Sequence, residues 1–257
     1  MIKTGKELAA AVKKIATDYK TLYVMGCFGA PLNAANKKRY CTNHSYNKQP
    51  SRTAMINAAS SDTFGFDCVC LIKGVLWGWN GNVNHVYGGA KYKNNGVPDI
   101  DCNQMFDLCS DKSTDFSKIE VGDAVWQQGH IGIYIGDGLA VECTPLWGNK
   151  VQITAVSNIG NKSGYNRRKW TKHGKLPYVT YGTAASTSVS TTYISGKTNA
   201  PVNVRETASI SGKIITKLAK GTAVRLTGKT VKNDGYTWAE IIYNEKLCWC
   251  DKQWINI

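Results

Sequence analysis

Residues 66–72 read FDCVCLI, two cysteines one residue apart at the front of an apolar run. Extended to Trp79, the stretch places Cys68, Leu71, Ile72, Val75 and Trp79 at i, i+3, i+4, i+7 and i+11, one face of a helix. The polar residues and glycine of SSDTFG precede it, so the helix is expected to begin near Asp67, with Cys68 in its first turn. Unpaired backbone N–H groups and the positive end of the helix dipole lower the pKa of a thiol in that position. Cys70 is turned about 200° away, so the two sulfurs diverge and do not make a clip by themselves. Cys68 is either a core cysteine or a nucleophile, and a nucleophile needs a base.

Four histidines are available, and His44, His85 and His173 lie in polar, loop-like surroundings. His130 opens HIGIYIG, a strand bounded by glycines, in which His130, Gly132 and Tyr134 point one way and Ile131, Ile133 and Ile135 the other. Asp137-Gly138 signals a hairpin, and the returning strand LAVEC carries Glu142. A two-residue loop would set Glu142 opposite Ile133, on the wrong face. A three-residue loop over 136–138, with Gly138 left-handed, sets it opposite Gly132, diagonal to His130 and within reach. A carboxylate among apolar residues needs a partner, which favours the three-residue loop. A Cys–His–acid set of Cys68, His130 and Glu142 follows.

The totals bound the setting. The chain has 257 residues, 42% hydrophobic and 19% charged, which suits one large domain plus a small one and excludes disordered, collagenous and coiled-coil classes. No apolar run reaches the roughly 18 residues of a membrane span, so no membrane insertion is expected. The start, MIKTGKELAAAVKKIATDYK, reads as an amphipathic helix and not as an export signal. Thr4 and Glu7 make a capping box, and Leu8, Val12, Ile15 and Tyr19 share a face. Synthesis in the cytoplasm with reduced thiols is therefore expected for the nine cysteines. Cys27, Cys41, Cys102, Cys109 and Cys143 read as packing residues. Cys41 and His44 are close in sequence, but no zinc spacing completes them, and neither metal nor cofactor is expected. The net charge of +14 favours an anionic partner, and because no nucleic-acid recognition motif accompanies it, an acidic wall polymer and not nucleic acid is expected. Its densest run, NRRKWTKHGK at 166–175, reads as a solvated loop. Trp77, Trp79, Trp126 and Trp147 read as core or rim, with a sugar groove as the alternative.

The uncharged small-residue stretch YGTAASTSVSTT, from Tyr181, marks a flexible linker over 181–194 between a domain at 1–180 and one at 195–257. The second reads as all-β, with short strands broken by glycines and Asp234-Gly235, the pattern of a small barrel. Strand alternation puts Cys248 and Cys250 on one face as buried small hydrophobes. Here VNVRETAS, LAKGTAVRLTG, YTWAEI and CWCDKQWI resemble bacterial SH3-type wall-binding domains. That resemblance implies binding of a polymer rather than catalysis.

In the first domain, GFDCVCLI, GDAVWQQGHIGIYIGDG and AVECTP resemble the NlpC-type family of bacterial-wall cysteine peptidases, over roughly residues 5–160. The resemblance implies an α+β, papain-like fold, with the nucleophile's helix packed on an antiparallel sheet. It also implies attack by Cys68, His130 as base, and Glu142 in the place of the third residue. The upstream LYVMGCFG matches a family segment whose tyrosine, here Tyr23, positions substrate or stabilises the oxyanion. Three departures stand out. Val69 and Cys70 replace the family's serine and glycine, glutamate is unusual as the third residue, and an insertion lies between Gly29 and Phe64. The implied reaction is hydrolysis of a peptidoglycan peptide bond through a thioester, most often between γ-D-glutamate and the diamino acid. A muramoyl–L-alanine amidase and a non-catalytic wall-binding protein are the alternatives. A wall enzyme made without an export signal resembles a phage endolysin, monomeric and reaching the wall after release.

Overall fold

A computed structural model describes residues 2–181, 194–243 and 246–257. The chain divides into two compact units, Met1–Thr183 and Ala184–Ile257. The expected linker at 181–194 falls almost wholly outside the described residues.

The first unit opens with α1 (Gly5–Asp18), capped as its sequence dictates: Thr4 accepts from the Glu7 N–H, and the Glu7 carboxylate accepts from the Thr4 N–H. Leu8, Val12 and Ile15 are buried from its inner face. Next come β1 (Thr21–Tyr23), β2 (Phe28–Pro31), α2 (Ala34–Asn43), α3 (Pro50–Ala58), β3 (Phe64–Phe66) and α4 (Cys68–Leu76). Strands β1, β3 and β2 form a small sheet in that order, and it ends where α4 begins.

After α5 (Cys102–Asp107), the chain builds the main sheet from β4 (Ser110–Ser113), β5 (Ala124–Gln127), β6 (His130–Gly136), β7 (Leu139–Thr144), β8 (Lys150–Val156), β9 (Arg167–Arg168) and β10 (Lys172–Lys175). Among the described residues the order is β4-β10-β5-β6-β7-β8-β9. The sheet is antiparallel except for the short β8–β9 pair. Helices α1 and α4 pack on one face, where Ile131, Ile133, Val141, Cys143 and Val151 meet Leu71, Ile72 and Val75. Each aliphatic side chain so buried contributes about 1.5–3 kcal/mol. On the other face Val125, Tyr134, Ala140 and Val156 pack with Phe116 and Trp170.

The β6–β7 hairpin has the register that puts Glu142 opposite Gly132, but not through a three-residue loop. Gly136 pairs with Leu139, leaving a two-residue turn at Asp137-Gly138 with φ of 54° and 72°. Two positive φ values make the type I′ turn that matches strand twist. The shift by one residue comes from a bulge between Tyr134 and Gly136.

Among its described residues the second unit, taken by itself, is built of antiparallel strands with a short 3₁₀ turn at Lys252–Trp254. Its strands are β11 (Ile194–Thr198), β12 (Val202–Arg205), β13 (Ile214–Leu218), β14 (Ala223–Asn233), β15 (Tyr236–Tyr243), β16 (Lys246–Asp251) and β17 (Ile255–Asn256), in the order β13-β12-β16-β15-β14-β11-β17. Val204, Leu226, Ile241, Cys248 and Cys250 form its core. No helix of the described residues is long and apolar enough to cross a membrane.

Candidate active site

Helix α4 starts where its cap dictates. Asp67 is the N-cap, and its Oδ1 accepts from the Cys70 N–H at 2.7 Å. Its Oδ2 accepts from the Gly26 N–H at 2.8 Å, tying the helix start to the turn that follows Tyr23. Cys68 is therefore the first helical residue, as the apolar spacing requires, and is 8% exposed. Its thiol is not acidified. A hydrogen bond with the Cys102 thiol, then burial, then the Asp67 charge push its pKa well above the ordinary thiol value, while Cys102 is held lower by the same hydrogen bond. The Cys102 thiol, burial and a neighbouring carboxylate together outweigh the helix end, and the resting Cys68 is a protonated thiol. Cys102, at the start of α5, is more than a packing residue because it lines the same cavity and raises the pKa of this thiol.

His130 and Glu142 come together as the register requires. The imidazole Nε2–H donates to Glu142 Oε2 at 2.7 Å, which leaves Nδ1 as the basic nitrogen of the neutral ring. The side chain of Glu142 is fully buried and has two further donors. Thr154 Oγ1 donates to Oε1 at 2.7 Å, and Arg168 Nε reaches both carboxylate oxygens, at 2.9 and 2.7 Å. Burial alone would raise the Glu142 pKa, but the hydrogen bond from His130, then that from Arg168, hold it below its usual value. Trp170 stacks on the imidazole at 5.5 Å with planes 6° apart. A glycine at 132 is needed for this arrangement: a Cβ there would lie 2.8 Å from the Val141 carbonyl, 3.2 Å from the Trp170 ring and 3.3 Å from Glu142 Cβ.

A cavity of about 750 Å³ opens over the start of α4. Tyr23, Cys68, Cys70 and Cys102 line it, as does Gly129, the residue before His130. The Tyr23 hydroxyl is kept protonated by burial and by Asp67, so it is a donor at any working pH. Arg52 of α3 holds Tyr23 in place, donating to its carbonyl and lying 5.6 Å from its ring. The segment between Gly29 and Phe64 is thus structural support for Tyr23, and its Arg39, Tyr40 and His44 form one wall of the cavity. Opposite, the buried Lys73 donates to Asp99 at 2.6 Å and to the Ile100 carbonyl at 3.0 Å, fixing the segment before α5 as the other wall.

The structure pairs His130 with Glu142 and puts Tyr23 and Cys68 in one cavity wall. It does not hydrogen-bond Cys68 to His130 among the described residues: the imidazole lies on the Trp170 face of β6, and the thiol bonds Cys102. The run 166–175 is not a solvated loop but contains β9 and β10, with Arg168 and Trp170 turned onto the His130–Glu142 pair. His173 is likewise buried, its Nδ1–H donating to Asp123 at 2.8 Å. The need of a buried Glu142 for a cation was the signal for Arg168. None of Trp77, Trp79, Trp126 and Trp147 lines the cavity, whose aromatic residues are Tyr23, Phe28, Tyr40, Tyr87 and Tyr92.

Residues 200–256 match the family model described as the bacterial SH3 domain. Among solved structures, the crystal structure of Ly7917 aligns at 14% identity over 72% of this chain and 82% of that chain, with a TM-score of 0.22. A second, of Ly7917 with the hydrolyzing product of MDP, aligns at 14% identity over 55% of this chain and 60% of that chain, with a TM-score of 0.17. Superpositions this loose establish neither a shared fold nor a shared activity. No curated protein matches the sequence.

Proposed function

We propose that the protein hydrolyses bacterial peptidoglycan as a papain-like cysteine peptidase of the NlpC type, with its C-terminal unit binding the wall. The observation that supports this most is the His130–Glu142 pair. Its buried carboxylate fixes the imidazole tautomer, and the strand carrying it begins beside the cavity into which a helix-start cysteine opens. The match of residues 200–256 to the bacterial SH3 domain supports the wall as the place of action, and the charge of +14 suits its anionic polymers.

In the proposed reaction the Cys68 sulfur attacks the peptide carbonyl carbon as its proton passes to His130 Nδ1. The carbonyl π pair moves onto oxygen, where the Cys68 backbone N–H and the Tyr23 hydroxyl donate to it. Collapse breaks the C–N bond, and His130 returns the proton to the departing amine, leaving a thioester. Water then attacks the thioester as His130 takes its proton, and the thiol leaves with that proton. Because the resting thiol is protonated, His130 acts as a general base during attack rather than as half of a standing ion pair.

Digestion of purified peptidoglycan followed by mass spectrometry of the soluble fragments tests this reading. The expected products are soluble peptides with a new diamino-acid N-terminus, and glycan strands that keep an L-alanyl-γ-D-glutamate dipeptide on muramic acid. Intact stem peptides freed from muramic acid would instead identify an amidase on the same scaffold. No soluble fragment, with the protein still co-sedimenting with the wall, would identify a non-catalytic wall-binding protein.

A further inference from the structure

Glutamate as the third member of a Cys–His–acid set raises an electrostatic difficulty. A buried carboxylate 2.7 Å from an imidazole favours the imidazolium, and a histidine already protonated cannot accept the thiol proton. Arg168 answers it. Its Nε reaches both oxygens of Glu142, and its side chain is only 10% exposed. The guanidinium is held between two indoles, 5.0 Å from the Trp147 ring and 5.4 Å from the Trp170 ring. We infer that Arg168 is a positioning residue that neutralises Glu142, so that His130 meets an oriented but electrically balanced acceptor and remains a base. This deepens the reading of His130 as the proton carrier and rests on it.

The surroundings leave Arg168 as the group that sets this balance. Of the elements packed against β6, β5 brings no charged side chain, and the charged residues of α1 are exposed. Helix α4 brings Asp67, whose oxygens accept from Gly26 and Cys70, together with the Cys68 thiol and Lys73, which is paired with Asp99. Helix α5 brings the Cys102 thiol, the exposed Asp107 and Asp101, which caps the helix. On β7, Glu142 is the charged group, and Arg168 is its cation. The Trp170 ring on the imidazole face excludes water that would otherwise screen the pair.

The test is an NMR titration of the His130 imidazole in the whole protein, with ¹³C-labelled histidine, read without substrate. Relative to wild type, Arg168→Met is expected to move the midpoint up by about 1–2 pH units, by exposing the ring to an uncompensated carboxylate. Glu142→Gln is expected to move it down, by leaving the guanidinium uncompensated. Arg168→Lys should recover most of the wild-type midpoint, and Glu142→Gln/Arg168→Met should return close to it. A merely structural arginine would move the midpoint with neither this sign reversal nor its cancellation in the double variant. Unchanged midpoints in folded Arg168→Met and Glu142→Gln would overturn the inference. Should Arg168→Met fail to fold, the nearly isosteric Glu142→Gln and the double variant decide it by the downward shift and its cancellation. The titration needs no turnover, so its failure and a failure of peptidoglycan hydrolysis are separate results.

Discussion

The chain uses the pattern Cys-x-Cys twice, at Cys68-Val69-Cys70 and at Cys248-Trp249-Cys250, and the backbone gives the two copies different roles. On β16 the side-chain period of two sends both sulfurs into the core of the C-terminal unit, with the half-buried Trp249 between them. On α4 the period of 3.6 separates the sulfurs. Cys68 opens the helix against Cys102 at the cavity, while Cys70 is held by its backbone to Asp67 in the next half-turn. The surroundings of each sulfur therefore follow from its position on the backbone, not from the motif. The strand pair is packing, and the helix pair divides into one sulfur paired with Cys102 and one held at the helix start by the Asp67 cap.

The largest expected effect concerns His130, the base proposed for the helix copy. His130→Ala should lower fragment release about 10²–10⁴-fold, the range for loss of a general acid–base group. A rate unchanged by this substitution would make the two copies equivalent after all. Next, the strand copy should report on stability alone. Cys250→Ser puts a hydroxyl into an apolar core and should cost the C-terminal unit about 1–3 kcal/mol in urea unfolding, with turnover of a soluble muropeptide unchanged.

Alkylation sharpens the comparison further. Burial and Cys102 raise the Cys68 pKa, so its reaction with iodoacetamide at pH 7 should be slower than that of a small-molecule thiol. The rate should still be climbing with pH at the ordinary thiol value of 9.0, and a plateau near neutrality would show a preformed thiolate. Smaller still is an effect in acid. The folded pKa of Glu142 is depressed, so its contribution to stability is full above the ordinary value of 4.5 and is lost as pH falls through the folded value. Glu142→Gln should flatten that part of the acid-unfolding curve for the N-terminal unit. An unaltered curve would mean that the Arg168 pairing adds no stability.

How much of this was legible in the sequence depends on how local each cause is. The capping box at Thr4, the start of α4 at Asp67 and the alternation of β6 are local, and all could be read directly. The Glu142 register was legible too, because a buried carboxylate needs a partner, yet the device behind it was not. A bulge before Gly136 and a loop one residue longer give the same register, and only coordinates separate them. Arg168 was hidden by its neighbours: among basic residues its charge looked solvated, and its partner lies 26 residues away. The raised Cys68 pKa was misread because the helix end is local, whereas Cys102 reaches the sulfur from a separate helix.

The most direct test of the central claim compares Cys68→Ala with Cys70→Ala in digestion of purified peptidoglycan, with soluble peptides quantified by mass spectrometry. The account expects Cys68→Ala to release nothing above the uncatalysed background, while folded Cys70→Ala retains the wild-type products at a reduced or equal rate. Loss of release in Cys70→Ala with persistence in Cys68→Ala would assign the chemistry to the other sulfur. Undiminished release by both would remove the cysteine mechanism altogether.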